Sequence, residues 1–405
     1  MVGGGFAGAY VAKELGDHGA TIVSKDNFML YTPLLPEAAS GTLEPRHCVV
    51  PLREMCPHAE LILGSITALD LEAKTAAVET PDGPQTVIWT DLVLALGAVP
   101  RTLPIPGLAE HALSFKTLAD AINLRNQVLH HLEAADEALD ERERARRLSF
   151  VFVGAGYAGV EALAELSDFV EDALRYYPRL RSTPRRWVLV DAAPRILPEI
   201  PPPLGDYAAA ELTKRGIEIH VETTLESVSA DEAVLGNGTR IPTNMVVWTA
   251  GVAPNPVLRE WSLPVDEKGR VQVDEFLRVR GHEHVWALGD CARVPNTKAE
   301  LPDPPTCQHA LRQARRLAKN IQGDPKPYGY RMLGQVATLG RYKGIADVLG
   351  LRLRGFTGWW VTRTYHLYQL PLWSRKLRVV TDWTSSLLFR RDVVELGTLG
   401  HPEGL

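Results

Sequence analysis

The same glycine spacing occurs twice in the chain: Gly3, Gly5 and Gly8 near its start, then Gly154, Gly156 and Gly159. Phe6 and Ala7 fill the gap before the last glycine of the first set, Tyr157 and Ala158 that of the second, and an amphipathic stretch follows each set. The pattern predicts a strand, a tight turn and a helix. One glycine permits the turn, one lets backbone N–H groups approach a pyrophosphate, and one lets the helix pack against the strand. The phosphate charge then meets the positive end of the helix. Two such units in one chain point to two dinucleotides, and the natural pair is FAD with a nicotinamide nucleotide.

The strand that follows each helix carries the next piece of chemistry. In "RWVLVDAAPR" an apolar run ends at Asp191, where a carboxylate accepts hydrogen bonds from a ribose 2′-hydroxyl and repels a 2′-phosphate, so NADH is expected there rather than NADPH. The interval from Gly159 to Asp191 exceeds the usual ~20 residues, because "SDFVEDALRYYPRLRSTPRR" inserts extra helix and loop. In the first unit the matching position is Ser24, a hydroxyl without charge, followed by Lys25. Only Met1 and Val2 precede the first glycines, where a strand of about 5 residues is expected, so the chain as given starts inside its own first strand.

Three later stretches end buried strands in small residues, where backbone can lie close to a ligand. "TDLVLALGAVP" ends at Ala95 and Gly97, "NMVVWTAGVAPNP" at Ala250 and Gly251, and "EHVWALGDCARVPN" at Gly289 and Asp290. The Asp290 carboxylate is placed to accept from a ribityl hydroxyl. The four cysteines form no C-x-x-C pair and no metal-ligand spacing, so neither a metal site nor disulfides are expected, and a reducing compartment is. Hydrophobic residues at 45% and charged residues at 23% suit folded domains with real cores. No apolar run reaches the roughly 18 residues of a membrane span, and no nucleic-acid partner is expected.

Taken in order, these stretches resemble the type II NADH dehydrogenases, the single-subunit NADH:quinone oxidoreductases of the two-dinucleotide-domain flavoprotein superfamily. The likeness covers essentially the whole chain. It is carried by "YTPLLPEAASG" (Tyr31 to Gly41), "GAGYAGVEALAEL", "VVWTAGV", "ALGDCA", "CQHALRQA" and "ATLGRYKGIADVLGLRLRGF". The resemblance implies noncovalent FAD, NADH as donor and a membrane quinone as acceptor, in a respiratory enzyme that pumps no protons. It places Pro33, Leu34, Cys307 and Gln308 beside the flavin, with Gln308 also facing the quinone. Arg312 stands where the family has a second glutamine. Glu165 takes the place of a family glutamate near both ligands, where it would relay protons.

Rival readings share parts of this pattern. A sulfide or disulfide reductase would need a redox cysteine pair, yet no cysteine lies between Cys56 and Cys291. A redox-inert NADH-binding sensor would bind without turnover. A reductase of a small iron–sulfur carrier would use the basic tail to dock an acidic partner.

That tail is distinctive. From Lys326 onward there are twelve Lys and Arg against five Asp and Glu, in a chain whose net charge is −5. Four of the nine tryptophans lie there, Trp359, Trp360, Trp373 and Trp383. Basic and aromatic side chains suit a monotopic membrane contact, and they equally suit a buried homodimer interface. A peripheral location on the cytoplasmic face of the cell membrane follows from the resemblance.

The expected fold is α/β: two Rossmann-like dinucleotide-binding domains plus a C-terminal α+β capping, membrane-facing domain. FAD would take residues 1–112 and 250–325, NADH 113–249, and the tail 326–405 would serve dimerisation and membrane association. The charged run from His130 to Arg147 reads as a solvated helix end, with His130 and His131 on the surface.

Overall fold

The structure is a computed structural model and describes residues 1–395; the last ten residues of the tail lie outside the described residues. Along the chain the longer helices are Phe6–Leu15 (α1), Leu118–Glu137 (α2), Tyr157–Ala173 (α3), Pro202–Lys214 (α4), Cys307–Ile321 (α5), Gly355–Gln369 (α6) and Trp373–Leu388 (α7). The residues fall into two compact units.

One unit comprises Met1–Tyr31, Val49–Val99 and Val252–Met332. Strand Thr21–Ser24 runs parallel to Glu60–Leu63, and Leu92–Leu94 runs parallel to Val285–Ala287. Val2 joins these pairs through parallel bridges to Val23 and Leu94. Its N–H donates to Val93 O at 2.8 Å, and the next N–H, of Gly3, donates to Val23 O at 2.9 Å. The short lead-in therefore occupies the central position that a full strand would hold, and Val2 is buried there. Helices α1 and α5 lie against each other beside these strands. An antiparallel sheet of Ser65–Asp70, Thr75–Thr80 and Gly83–Ile88 completes the unit.

The other unit comprises Thr32–Cys48, Pro100–Gly251 and Leu333 onward. Its centre is a five-stranded parallel sheet in the order Ala112–Ser114, Met245–Trp248, Ser149–Val153, Arg186–Val190, Ile217–His220. Ser149–Val153 is buried at every position, as a continuous apolar run in the middle of a parallel sheet must be. Val151, Val153, Val188 and Val190 pack with Leu225, Leu235 and Ile241 of a small antiparallel sheet. After Leu333 the chain forms the antiparallel strands Gly334–Thr338, Gly344–Val348 and Leu351–Arg354, then α6 and α7. This is the expected α+β element. Gly344 and Gly358 let α6 meet its sheet: a Cβ at Gly358 would lie 2.5 Å from Gly344 O.

Helix α2 opens with a full capping box, Thr117 Oγ1 accepting from Asp120 N–H at 3.1 Å and Asp120 Oδ2 accepting from Thr117 N–H at 2.8 Å. The helix corrects one expectation. His130 is exposed, but His131, the next residue round the helix, points into the core and is 4% exposed. Burial, helped by the Arg147 charge, lowers its pKa to about 4. A charge-rich sequence had masked a core-facing position.

Candidate active site

The two glycine loops match in backbone angles at their first and middle glycines. Gly3 and Gly154 both have φ of 111°, a region open only to glycine. Gly5 and Gly156 cap α1 and α3 with φ of −75° in each and ψ of −167° and −171°. The role of each glycine follows from what a Cβ would meet. At Gly3 it would lie 2.3 Å from Ala95 O, and at Gly154, 2.6 Å from Ala250 N. At Gly8 and Gly159 it would lie 1.9 Å from the carbonyl oxygen of Gly3 and Gly154 respectively. These four are demanded by packing alone. At Gly5 and Gly156 it would meet nothing within 4 Å.

Neither α1 nor α3 receives a side-chain cap at its N-terminus. Helix N-termini left without a side-chain cap, beside a middle glycine with open space, fit a diphosphate in each loop. Gly4, outside the fingerprint, is constrained less sharply: a Cβ there would lie 2.5 Å from Ser24 Oγ and 2.7 Å from Leu52 Cδ1, side-chain atoms rather than backbone. Its signal in the sequence is the unbroken run of three glycines.

Ser24 ends its strand buried against that loop, while Lys25 beside it is exposed. Asp191 follows strand Arg186–Val190, and its carboxylate accepts from the N–H of Ala155, inside the second glycine loop, and from Ala193 N–H at 2.7 Å. Ala95 follows strand Leu92–Leu94, and Gly97 beyond it has φ of 64° with open space at its Cβ position. Gly251, after Ala250, has φ of 90° and the same open space. Gly289 (φ 71°) approaches Ala7, and a Cβ added at Gly289 would lie 3.2 Å from the Ala7 Cβ; Asp290 shares its turn. Phe6 sits 5.5 Å from the ring of Tyr31. Tyr157 is half-buried and its hydroxyl is held protonated by burial and by Glu199, whereas Ala158 is exposed.

At the start of α5, Cys307, Gln308 and Arg312 form a half-buried group in the first unit. Gln308 Oε1 accepts from the Tyr330 hydroxyl at 3.2 Å, and the Arg312 guanidinium lies 4.9 Å over the Tyr330 ring. The expected second glutamine is replaced by Arg312, yet Gln313 stands next to it and has a different task. Its Oε1 accepts from Gly289 N–H at 2.8 Å and its Nε2 donates to Asp303 at 2.8 Å, tying the Gly289–Asp290 turn to a buried carboxylate. Burial pushes the Cys307 thiol up to about 11 and the Cys291 and Cys56 thiols to about 11 as well. All four cysteines are free thiols, so no redox disulfide supports the disulfide-reductase reading.

The second unit, besides its glycine loop, contains a group of buried carboxylates that pattern reading found only in part. Glu165 on α3 is 1% exposed; its Oε2 accepts from Arg391 Nη2 at 3.0 Å and from Ser40 Oγ at 3.2 Å, and its Oε1 is buried with no hydrogen-bond partner among the described residues. Burial raises its pKa, against the Arg391 charge. One turn earlier, Glu161 accepts from Thr338 N–H at 2.8 Å, and burial pushes it up to about 8. Glu37 pairs with Arg363 at 3.0 Å and accepts from Trp383 Nε1. Arg363 is held between Trp359 at 4.3 Å and Trp383 at 4.7 Å. Pro33 and Leu34 belong to this unit, in the turn Thr32–Leu34 that leads into the short helix containing Glu37.

The model of the pyridine nucleotide-disulphide oxidoreductase family matches residues 1–314. A probable NADH dehydrogenase of Dictyostelium discoideum is 33% identical over 92% of this chain and 85% of its own length. A type II NADH:quinone oxidoreductase of Mycobacterium tuberculosis is 31% identical over 96% of this chain and 87% of its own. The chain belongs to the type II NADH dehydrogenase family. Its fold agrees: the structure of NDH2 from Plasmodium falciparum in complex with NADH superposes with a TM-score of 0.90 at 18% identity, covering 97% of this chain and 98% of that one. The type II family assignment and the paired loops concur on FAD and NADH as the two dinucleotides.

Proposed function

We propose that the chain is an FAD-dependent NADH:quinone oxidoreductase catalysing NADH + H⁺ + Q → NAD⁺ + QH₂ without pumping protons. The observation that carries this reading is the pair of glycine loops with matching backbone, each leaving its middle glycine open to a ligand, the second closed by the Asp191 carboxylate. When bound, FAD would supply the two-electron redox chemistry that links NADH to the quinone. In this reading Gly3, Gly5 and Gly8 hold the FAD pyrophosphate, Ser24 its ribose, and Asp290 its ribityl chain. Gly154, Gly156, Gly159 and Asp191 hold NADH.

The Gln308 amide and the Arg312 cation serve the quinone oxygens. Glu165, whose affinity for a proton burial raises and whose Oε1 has no protein partner among the described residues, holds a proton for transfer. Residues 1–112 and 250–325 would then be the FAD part, 113–249 the NADH part, and 326–405 the tail. No helix among the described residues is long and apolar enough to cross a membrane. On α7, Trp373, Leu377, Val380, Leu387 and Leu388 are all exposed and recur at helical spacing, a stripe suited to lie in a lipid surface. A peripheral position on the cytoplasmic face, and a homodimer, complete the proposal.

The test is the visible spectrum of the purified protein before and after NADH, followed by stopped-flow reduction. A yellow protein bleached by NADH, reoxidised by a water-soluble quinone, and reduced at least about tenfold more slowly by NADPH is expected; Asp191→Ala should narrow that preference. Protein that stays colourless with added FAD, or that prefers NADPH, contradicts the reading.

A further inference from the structure

Tyr330 belongs to no motif in the sequence, yet it touches three residues at the start of α5. Its hydroxyl donates to Gln308 Oε1 at 3.2 Å, its face carries the Arg312 guanidinium at 4.9 Å, and its ring meets the His309 ring edge-on at 5.4 Å. Both of its backbone groups are held by one buried amide: its N–H donates to Asn296 Oδ1 at 3.0 Å and its carbonyl accepts from Asn296 Nδ2 at 2.8 Å. Asn296 Nδ2 also donates to the buried Asp303 at 2.7 Å. The phenol is therefore mounted on a fixed base.

Two consequences follow from the chemistry of the groups. An amide whose oxygen is engaged points its NH₂ the other way, so the Tyr330 hydroxyl sets the direction in which the Gln308 NH₂ donates. A guanidinium laid on an aromatic face is fixed in plane and partly desolvated, which strengthens its field. We propose that Tyr330 is a positioning residue for quinone reduction, orienting the Gln308 donor and the Arg312 cation toward the quinone oxygen that gains negative charge. This rests on the reading of the α5 start as the quinone-facing edge. In that step the quinone gains two electrons derived from NADH and two protons, one from NADH and one from solvent. Its two C=O groups become C–OH. A donor and a cation aimed at the developing charge lower the barrier most when they need no reorganisation.

The experiment uses the FAD-loaded enzyme and follows the half-reactions separately. Tyr330→Phe keeps the ring under Arg312 and removes the hydroxyl, while Tyr330→Leu removes both. In Tyr330→Phe, flavin reduction by NADH and reoxidation by ferricyanide should stay within twofold of the parent, while reoxidation by a water-soluble quinone slows about tenfold. In Tyr330→Leu, the quinone KM should rise as well. Equal quinone reoxidation in parent and Tyr330→Phe overturns the proposal, as does a parallel loss in both half-reactions, which marks a structural role. A parent enzyme that fails to reduce quinone defeats the functional reading instead, and is visible before any variant is made.

Discussion

Glu161 and Glu165 stand one helical turn apart on α3, both inside the protein, and their chemistry differs through their partners. Glu165 is met by the Arg391 cation, whereas the hydrogen bonds of Glu161 among the described residues come from the Thr338 backbone N–H and hydroxyl. An unfolded glutamate loses its proton near 4.5, and burial keeps the Glu161 proton on to about 8. Between those values the folded state binds more protons than the unfolded one, so stability falls as pH rises, by about 1.4 kcal/mol per pH unit, and the loss is complete above the folded pKa. Glu161→Gln abolishes this contribution. The variant should melt higher than the parent at pH 8.5, with the gap closing toward pH 4.5. Identical pH profiles of Tm in the two proteins would refute the assignment.

At the scale of the element, the glycine loops separate two demands that the fingerprint merges. Gly159 is required by the fold, since a methyl there would press on Gly154 O at 1.9 Å and on Thr249 Oγ1 at 2.6 Å. Gly156 is not, since a methyl there meets no protein atom within 4 Å. Gly159→Ala is therefore expected to lower stability by about 2–3 kcal/mol, as overpacking of backbone does, and to lower Tm with or without NADH. Gly156→Ala should leave the Tm of the free protein within a degree or two and raise the NADH KM at least tenfold, because the methyl occupies the approach of the pyrophosphate. Equal thermal losses in both variants, measured side by side, would refute the division of labour.

For the whole molecule, the tail divides its cations and tryptophans between the interior of its own unit and the surface. Arg363, Arg391 and Arg341 pair with Glu37, Glu165 and Asp172, so three of the tail's twelve cations neutralise buried or half-buried acids of its own unit. The tryptophans divide likewise: Trp359 is buried and Trp383 half-buried, whereas Trp360 and Trp373 are 56% and 84% exposed. Outside lie Trp360 on α6 and the α7 stripe, which is flanked by Lys376 and Arg378. Cosedimentation with vesicles containing anionic lipid should therefore fall about tenfold or more in Trp373→Ser/Leu377→Ser, and only partly on raising salt to 0.5 M, since apolar contact survives screening. Binding abolished by salt alone, and unchanged by the double substitution, would show purely electrostatic attachment.

Local chemistry made most of the nucleotide framework legible. Glycine spacing, apolar strands and the acid at Asp191 are short-range signals, and each was readable because a turn that admits a pyrophosphate tolerates few other residues. The α/β class followed from the same signals, whereas the α+β tail was an expectation that came with the family resemblance. Other features depended on which distant segments meet. The Tyr330 contact to Gln308 spans 22 positions, and the Glu165 contact to Arg391 spans 226. No spacing rule links such residues, because their partnership is set by where strands and helices come to rest. His131 turned inward for the same reason, its neighbour His130 outward. The sequence by itself determined the two nucleotide loops, whose constraints are steric and local; only the tertiary structure decided which acids and aromatics are buried, because burial depends on what the rest of the chain places around them.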